Sequence, residues 1–318
     1  MSDTDHLLIP FAASHAPGCR QALATLALPQ LSRLLALLGP GTPDPGAEDS
    51  FSPPHERALA RHLGLPDGPQ DCPAWAAWAV RQQPEPPEDP SGGWAWVTPC
   101  HWQVGMDQVS MDPPERLGLD EADSRALLEV LAPWFAQDGI TLAYHAPDRW
   151  LARGALFDGL ATASLDRVVG RDVRPWLPDK AAGRTLHRLH SEVQMLLYTH
   201  PFNEARIAQG ALPVNAFWVH GAGALASPPP SRPLPQMPDA LREAALREDW
   251  PAWAEAWRAL DAGPVARWLA RARAGTPVRL TLCGERGSWE GSNARRGIGA
   301  RLRALLAGDR WPALYQQL

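Results

Sequence analysis

The side chains best able to do chemistry lie between Leu186 and Gly223, in LHRLHSEVQMLLYTHPFNEARIAQGALPVNAFWVHGAG. Asn203 and Arg206 are one helical turn apart, and an arginine can grip a carboxylate or phosphate through two parallel N–H bonds. The same two residues also suit a structural role, capping the preceding turn, as Asn commonly does after a proline such as Pro201. Asn215 enters an apolar run and His220 leaves it, directly before Gly221-Ala222-Gly223. A strand that empties into a glycine turn is where α/β proteins present ligand-facing groups. Asn203, Arg206, Asn215 and His220 are therefore the candidate ligand-binding residues, and a small anion is the ligand they suit. His55 follows Ser52-Pro53-Pro54 at the start of a helix, where backbone N–H groups favour an anion. It either supplies a nucleophile or phosphate-binding group there, or merely begins the helix with Pro54. His187, Ser191, Gln194 and Tyr198 share the polar side of the Leu186 helix, with His187 expected in solvent and Gln194 partly buried. Cys100 and His101 are adjacent on an expected strand, so they point to opposite faces and share no ligand easily.

The elements that must position these groups follow from periodicity. Leu186, Leu189, Val193, Leu196 and Leu197 recur at helical spacing until Pro201, and Gly210 closes a second short helix. Strands are expected over His6–Ala13, within Trp94–Val109, and over Ile140–Tyr144, Val214–Val219 and Val278–Cys283. Helices are expected over Gln21–Leu38, Glu56–Gly64, Asp120–Phe135, Asp239–Trp250, Trp253–Leu260, Val265–Ala274 and Ile298–Leu306. Asp120 is a natural N-cap, and the acidic residues after it suit the helix dipole. Asp166–Pro178 reads as a loop with a short strand, and Gly284–Asn293 as a glycine loop. Pro66–Gly93 reads as a surface excursion and hinge, and Pro228–Pro238 as a proline-rich linker. Strands alternating with helices imply an α/β fold whose mostly parallel sheet is covered on both faces.

A chain of 318 residues holds one large or two smaller domains and buries a substantial core. Its formal charge of −5 argues against a general attraction to nucleic acid or to an anionic membrane. The arginines Arg267, Arg271, Arg273, Arg279, Arg286, Arg295, Arg296, Arg301 and Arg303 nevertheless crowd the last fifth. They are either an anion surface or the mark of a chain that uses arginine almost to the exclusion of lysine, Lys180 being the only one. Cys19, Cys72, Cys100 and Cys283 are far apart without a CxxC pair, which fits free thiols in a reducing compartment. No secretory leader and no membrane-length apolar run is visible, so a cytoplasmic protein is expected. The tryptophans at 75 and 78, and at 250, 253 and 257, fall at helical spacing and read as core packing.

Taken in order, these segments resemble the bacterial regulatory protein RpfE family, often labelled phosphoglycerate mutase. Its nearer catalytic relatives are the archaeal-type cofactor-independent phosphoglycerate mutases of the alkaline-phosphatase superfamily. LALPQLSRLL at Leu26–Leu35 is similar to the superfamily's "TPNLDRLA" helix, and PPHERALARHLG at Pro53–Gly64 to the mutases' "PGSDTAHLSLLG". LDEADSRALLEVL at Leu119–Leu131 resembles a helix of their inserted cap, and ASLDRVVGRDVRPWLP at Ala163–Pro178 resembles "PPHD…G…LP". The Leu186–Gly223 block is similar to a helix followed by "G-K-P-A-N-…-R-G-A-G", and VRLTLCGERGS at Val278–Ser288 stands where the family has "TADHG". The resemblance covers nearly the whole chain through individually loose motifs. It implies an alkaline-phosphatase-like core over 1–80 and 181–318, with a smaller α+β cap inserted over 90–180.

The resemblance also implies catalysis by two divalent cations and a phosphorylated Ser or Thr, and here the chain departs. The first strand ends in Phe11-Ala12-Ala13 instead of Asp-Gly, His55 stands at the nucleophile position, and Glu56 replaces the Asp beside it. Asp166 is retained with Leu165 in place of its His, and GERG at Gly284–Gly287 leaves only Glu285. Hard cations need several converging oxygen or imidazole ligands, so no resident metal or cofactor is expected. The implied reading is a catalytically silent regulatory or binding protein with a small anion or a protein as partner. The enzyme alternative keeps phosphoglycerate mutase or phosphatase chemistry, with His55 as phospho-acceptor and Asp166 or Glu285 as remaining ligands of a divalent metal. A third reading, nucleic-acid association through the arginine-rich end, requires steep salt dependence.

Overall fold

The computed structural model describes residues 5–179, 183–294 and 309–318. The chain divides into two compact units, Met1–Gly64 with Ser231–Leu318, and Leu65–Pro230. The expected boundaries placed 181–230 with the core. In the structure, the strand at 216–223 hydrogen-bonds along the strand at 94–100, and this ladder draws the segment into the inserted unit.

In the first unit, β1 (Asp5–Ile9) runs parallel to β9 (Val278–Cys283), β10 (Ser288–Ser292) is antiparallel to β9, and β2 (Thr42–Asp44) closes the sheet. Alternation places Leu7, Ile9, Leu280 and Leu282 on a helix-covered face. Leu8 and Cys283 turn the other way, against Ala58 of α3 (Pro54–Leu63). Helices thus cover both faces. The single helix expected over Gln21–Leu38 is two, α1 (Pro17–Thr25) and α2 (Pro29–Leu37), because Pro29 has no N–H to continue the ladder. The carboxylate of Asp261 caps α2 from a distance, accepting N–H bonds from Leu31 at 2.7 Å and Gln30 at 3.1 Å. Asp261 opens a π turn that joins α9 (Trp250–Leu260) to α10 (Ala266–Arg273) and contains Pro264. The indoles of Trp253 and Trp257 are fully buried and meet edge to face at 6.2 Å.

The glycine loop expected over Gly284–Asn293 is in fact a tight turn followed by β10. Gly291 disguised that strand, and its purpose is close packing. A Cβ on Gly41 or on Gly291 would lie 2.2 Å from the Trp289 indole. The expected helix Ile298–Leu306, with Arg295, Arg296, Arg301 and Arg303, lies outside the described residues, as does Lys180.

The second unit is built on an antiparallel sheet ordered β6 (Thr141–Ala146), β7 (Arg149–Arg153), β3 (Trp94–Cys100) and β8 (Ala216–Gly223). A hairpin of β4 (Trp102–Val104) and β5 (Val109–Met111) follows β3. One face carries α5 (Glu121–Ala136) and α7 (Arg184–Tyr198), whose Leu131, Phe135, Leu189 and Val193 pack with Val97, Phe217 and Val219. Asp120 caps α5 as expected, accepting the Asp123 N–H at 2.8 Å. The Pro66–Gly93 excursion contains a helix, α4 (Trp75–Arg81), with Ala76, Ala77 and Val80 buried. The Asp166–Pro178 loop begins with one helical turn, α6 (Leu165–Val168), and α8 (Pro201–Ala208) follows α7. The α/β class is as read from the sequence, but among the described strands only the β1–β9 pair is parallel. The tight 284–287 turn makes a hairpin of β9 and β10, and short connections of this kind enforce antiparallel pairing. No helix among the described residues is long and apolar enough to cross a membrane.

Candidate functional site

Because β1 and β9 are parallel, the segments following them leave from the same end of the sheet. After β1 the chain turns at Phe11, held at φ +54°, a conformation that costs an L-residue about 1–2 kcal/mol. Two indoles fix it, with Trp253 Nε1–H donating to the Phe11 carbonyl at 2.9 Å and Trp257 Nε1–H to the Ala12 carbonyl at 3.2 Å. The Ala12 N–H reaches the Cys283 carbonyl at 2.7 Å. The Phe11 ring thereby lies 5.1 Å from the ring of His55, which is buried in the first turn of α3.

Glu285 faces the same segment. Its Oε2 accepts the Ser14 hydroxyl at 3.0 Å and the His15 N–H at 2.9 Å, with His15 Nδ1 at 3.8 Å. Ser14 in turn accepts the Ala16 N–H at 3.1 Å, which ties the start of α1 to the hairpin. The Leu318 backbone oxygen takes the N–H groups of Arg286 at 2.9 Å and Gly287 at 2.8 Å. Leu318 lies so close that a Cβ on Gly284 would be 2.4 Å from that oxygen. Buried Arg57 donates to the Ser52 and Arg286 carbonyls at 2.6 and 2.9 Å, joining the approach to α3 to the hairpin. His55 and Glu285 thus belong to one unit. Ser14 and His15 are site members that sequence reading missed, and two polar residues directly after an apolar strand were the available signal. Burial raises the Cys19 thiol to about 11 and also raises Cys283, so neither is an activated nucleophile.

Asp166 lies in the second unit, in the first turn of α6, where its N–H donates to the Ser164 hydroxyl at 3.3 Å. There it is near His220. The His220 imidazole is pushed down to about 3 by burial and then by Arg149, with Asp166 acting in the opposite sense. His220 Nε2 is 3.1 Å from Thr98 Oγ1. Gly221 and Gly223 are occupied with packing. Added Cβ atoms would come within 3.0 Å of Trp75 Cβ and 2.6 Å of Ala74 Cβ respectively, so the glycines let the α4 segment approach β8.

The remaining candidates are engaged by this chain's own backbone. Asn203 Nδ2 donates to the Leu197 and Val214 carbonyls at 2.9 and 2.7 Å, and its Oδ1 accepts the Val214 N–H at 2.9 Å. Arg206 gives Nε to the Leu212 carbonyl at 3.0 Å, Nη1 to Asp123 at 3.0 Å, and Nη2 to the Leu117 carbonyl. Asn215 pairs with both backbone groups of Trp102, at 2.7 and 2.9 Å. Of the alternatives open for Asn203, this geometry is that of a cap on the end of α7. His187 Nε2 lies 3.0 Å from the Pro178 carbonyl, and Gln194 is exposed. Burial raises the Cys100 thiol.

The two-cation centre implied by the resemblance does not fit these residues. A phenyl ring has no lone pair for a metal, and the Glu285 oxygen that faces the loop already accepts two hydrogen bonds. Among the described residues no three His, Cys, Asp or Glu side chains come close enough to share an ion.

No protein-family model matches the chain, and no curated protein sequence matches it. Among solved structures it is similar to the cofactor-independent phosphoglycerate mutase from Thermoplasma acidophilum DSM 1728, at 12% identity and a TM-score of 0.35, over 94% of both chains. It is also similar to the PH0037 protein from Pyrococcus horikoshii, at 11% identity and a TM-score of 0.43, over 95% of this chain and 93% of that one.

Proposed function

We propose that this chain is a binding protein with a regulatory role, resembling phosphoglycerate mutases in scaffold but silent in two-metal phosphoryl transfer. The observation that supports this reading is the arrangement at the ends of β1 and β9. There Phe11 covers His55, and Glu285 braces Ser14 and His15. A phospho-acceptor must expose a ring nitrogen to the incoming phosphoryl group, whereas His55 is 7% exposed. The partner is a small anion or another protein, and the work is done without a resident metal. All four cysteines are buried and without a disulfide, which supports a reducing, cytoplasmic setting.

Metal analysis and activity assays test the proposal together. Protein purified without chelator is dialysed and measured by mass spectrometry, then assayed with 3-phosphoglycerate and p-nitrophenyl phosphate in added Mn²⁺, Zn²⁺ or Mg²⁺. The expected result is less than one retained ion per chain and no turnover above the blank. Two retained ions per chain, or turnover that disappears in His55→Ala, would overturn it.

A further inference from the structure

Two histidines meet at the start of β1, at the opposite end of that strand from Phe11. His6 belongs to β1, and His62 to the last turn of α3. Their Nδ1 atoms lie 3.2 Å apart, with ring centroids at 4.6 Å and planes crossing at 65°. That centroid separation is shorter than a straight N–H···N bond of the same length would give, so the ring axes meet at an angle. Two nitrogens sharing one tetrahedral zinc stand about 3.3 Å apart. His6 is buried, with 6% of its surface exposed, and half-buried His62 carries the pair to the surface.

The far nitrogens of both rings are engaged as those of metal-binding histidines are. A ligating imidazole nearly always gives its other N–H to a nearby acceptor, which fixes the tautomer. His62 Nε2 lies 2.8 Å from the Pro233 carbonyl. A carbonyl only accepts, so Nε2 carries the proton and Nδ1 of neutral His62 is bare. His6 Nε2 is 2.8 Å from Thr281 Oγ1, and that hydroxyl has a second outlet in Glu290 Oε2 at 3.4 Å. Without an ion, Thr281 donates to Nε2 and His6 Nδ1–H donates to His62. With an ion, the hydroxyl turns to Glu290, Nε2–H donates to Thr281, and both Nδ1 lone pairs serve as ligands. The proton of His6 changes nitrogen, and none has to leave. Burial, then His62 and Arg279, push His6 down to about 3, so protons compete little with a metal there at neutral pH. Arg279 is itself paired with Glu290 at 3.5 Å, and the negative end of the α3 dipole favours a cation beside His62.

We propose that His6 Nδ1 and His62 Nδ1 form a two-histidine site for an exchangeable borderline divalent cation, Zn²⁺ being the type. Imidazole nitrogen selects Zn²⁺ over Mg²⁺ or Ca²⁺, which prefer oxygen. Water fills the remaining positions, and two protein ligands hold the ion weakly enough for dialysis to remove it. Bound there, the ion clasps the end of α3 to β1. Through His62 it also steadies the return segment, because Arg232 donates to the His62 carbonyl at 2.6 Å and Pro233 accepts from the His62 ring. The site lies apart from Phe11, His55 and Glu285, and it stands or falls whatever the outcome at the strand ends.

The test titrates the chelator-stripped full chain with Zn²⁺ alone at neutral pH by calorimetry. The histidine ring nitrogens of ¹⁵N-labelled protein are followed in parallel by NMR. Zn²⁺ is expected to shift the Nδ1 signals of His6 and His62 while their Nε2 protons are retained, and Mg²⁺ to shift neither. His62→Ala, at a half-buried position, should lose this binding with an unchanged circular dichroism spectrum. Thr281→Val removes the acceptor of His6 Nε2–H and should weaken Zn²⁺ binding about 10- to 100-fold. Should that variant fail to fold, the ring-nitrogen shifts of the wild type decide alone. Zn²⁺ binding that His62→Ala leaves unchanged, Nδ1 signals that do not move, or no binding of Zn²⁺ overturns the proposal.

Discussion

Three histidines are held neutral inside the fold, and this sets how the protein responds to acid. His6 is pushed down to about 3 by burial, with His62 and Arg279 adding to the effect, and burial brings His220 to about 3 and His190 to about 4. His190 is the most instructive of the three. Its Nε2 lies 3.1 Å from the Phe217 carbonyl, which can only accept, so Nε2 carries the proton and Nδ1 is bare. Its ring lies 4.4 Å from that of Phe217 and 5.1 Å from that of Trp102. The unfolded chain binds a proton at each site below about 6.5, whereas the folded chain refuses it, so acid draws the equilibrium toward unfolding. This stability is present above about pH 6.5 and is lost as pH falls toward the folded values. At pH 5 each histidine accounts for a loss of about 2 kcal/mol, and that figure hardly depends on the folded value once it is near 4 or below. His190 and His220, both in the second unit, together amount to about 4 kcal/mol, a large part of the stability of many domains. The substitution to make is His190→Gln, which retains a side-chain amide to donate to Phe217 and cannot titrate. Urea unfolding followed by tryptophan fluorescence at pH 7 and pH 5 should show the wild-type loss shrinking by about 2 kcal/mol in the variant. Equal losses in both proteins, or a His190 ring that titrates near 6.5 by NMR, would refute the reasoning.

Other substitutions separate packing from polar bracing. Gly18→Ala puts a Cβ 2.2 Å from Trp250 Cδ1, and the overpacking should cost about 1–3 kcal/mol in urea unfolding with a shift in tryptophan emission. Asp261→Ala strips the cap from two N–H groups of α2 and should cost about 1–2 kcal/mol, read as a lower Tm. Asn203→Ala leaves the Leu197 carbonyl and both backbone groups of Val214 without their side-chain partner, a loss of about 2–4 kcal/mol. Inorganic phosphate in calorimetric excess should stabilise this variant no less than it stabilises the wild type, which distinguishes a backbone brace from an anion ligand.

Much of the scaffold was legible because local chemistry is strong there. Val278–Cys283 is a strand with the bounds read from the sequence, since apolar residues alternating with Arg279 and Thr281 before a glycine leave little choice. Asp120 declared its helix through the cap it makes. Pro29, by contrast, was passed over inside a leucine pattern whose period it does not disturb. Strand β10 was hidden because glycine lowers strand propensity, and only the indole of Trp289 lying against Gly41 and Gly291 explains the choice.

The order of apolar and polar residues along the chain determined the α/β class, the helix starts and the break at Pro201, because capping, periodicity and proline act over a few residues. Which candidates face a ligand and which brace the backbone was decided only in three dimensions. Asn203, Arg206 and Asn215 find their partners in Leu117, Asp123, Leu197, Leu212, Val214 and Trp102. Glu285 finds its partners in Ser14 and His15, about 270 residues away. A hydrogen bond depends on separations of about 3 Å in space, and separation along the chain carries no record of that.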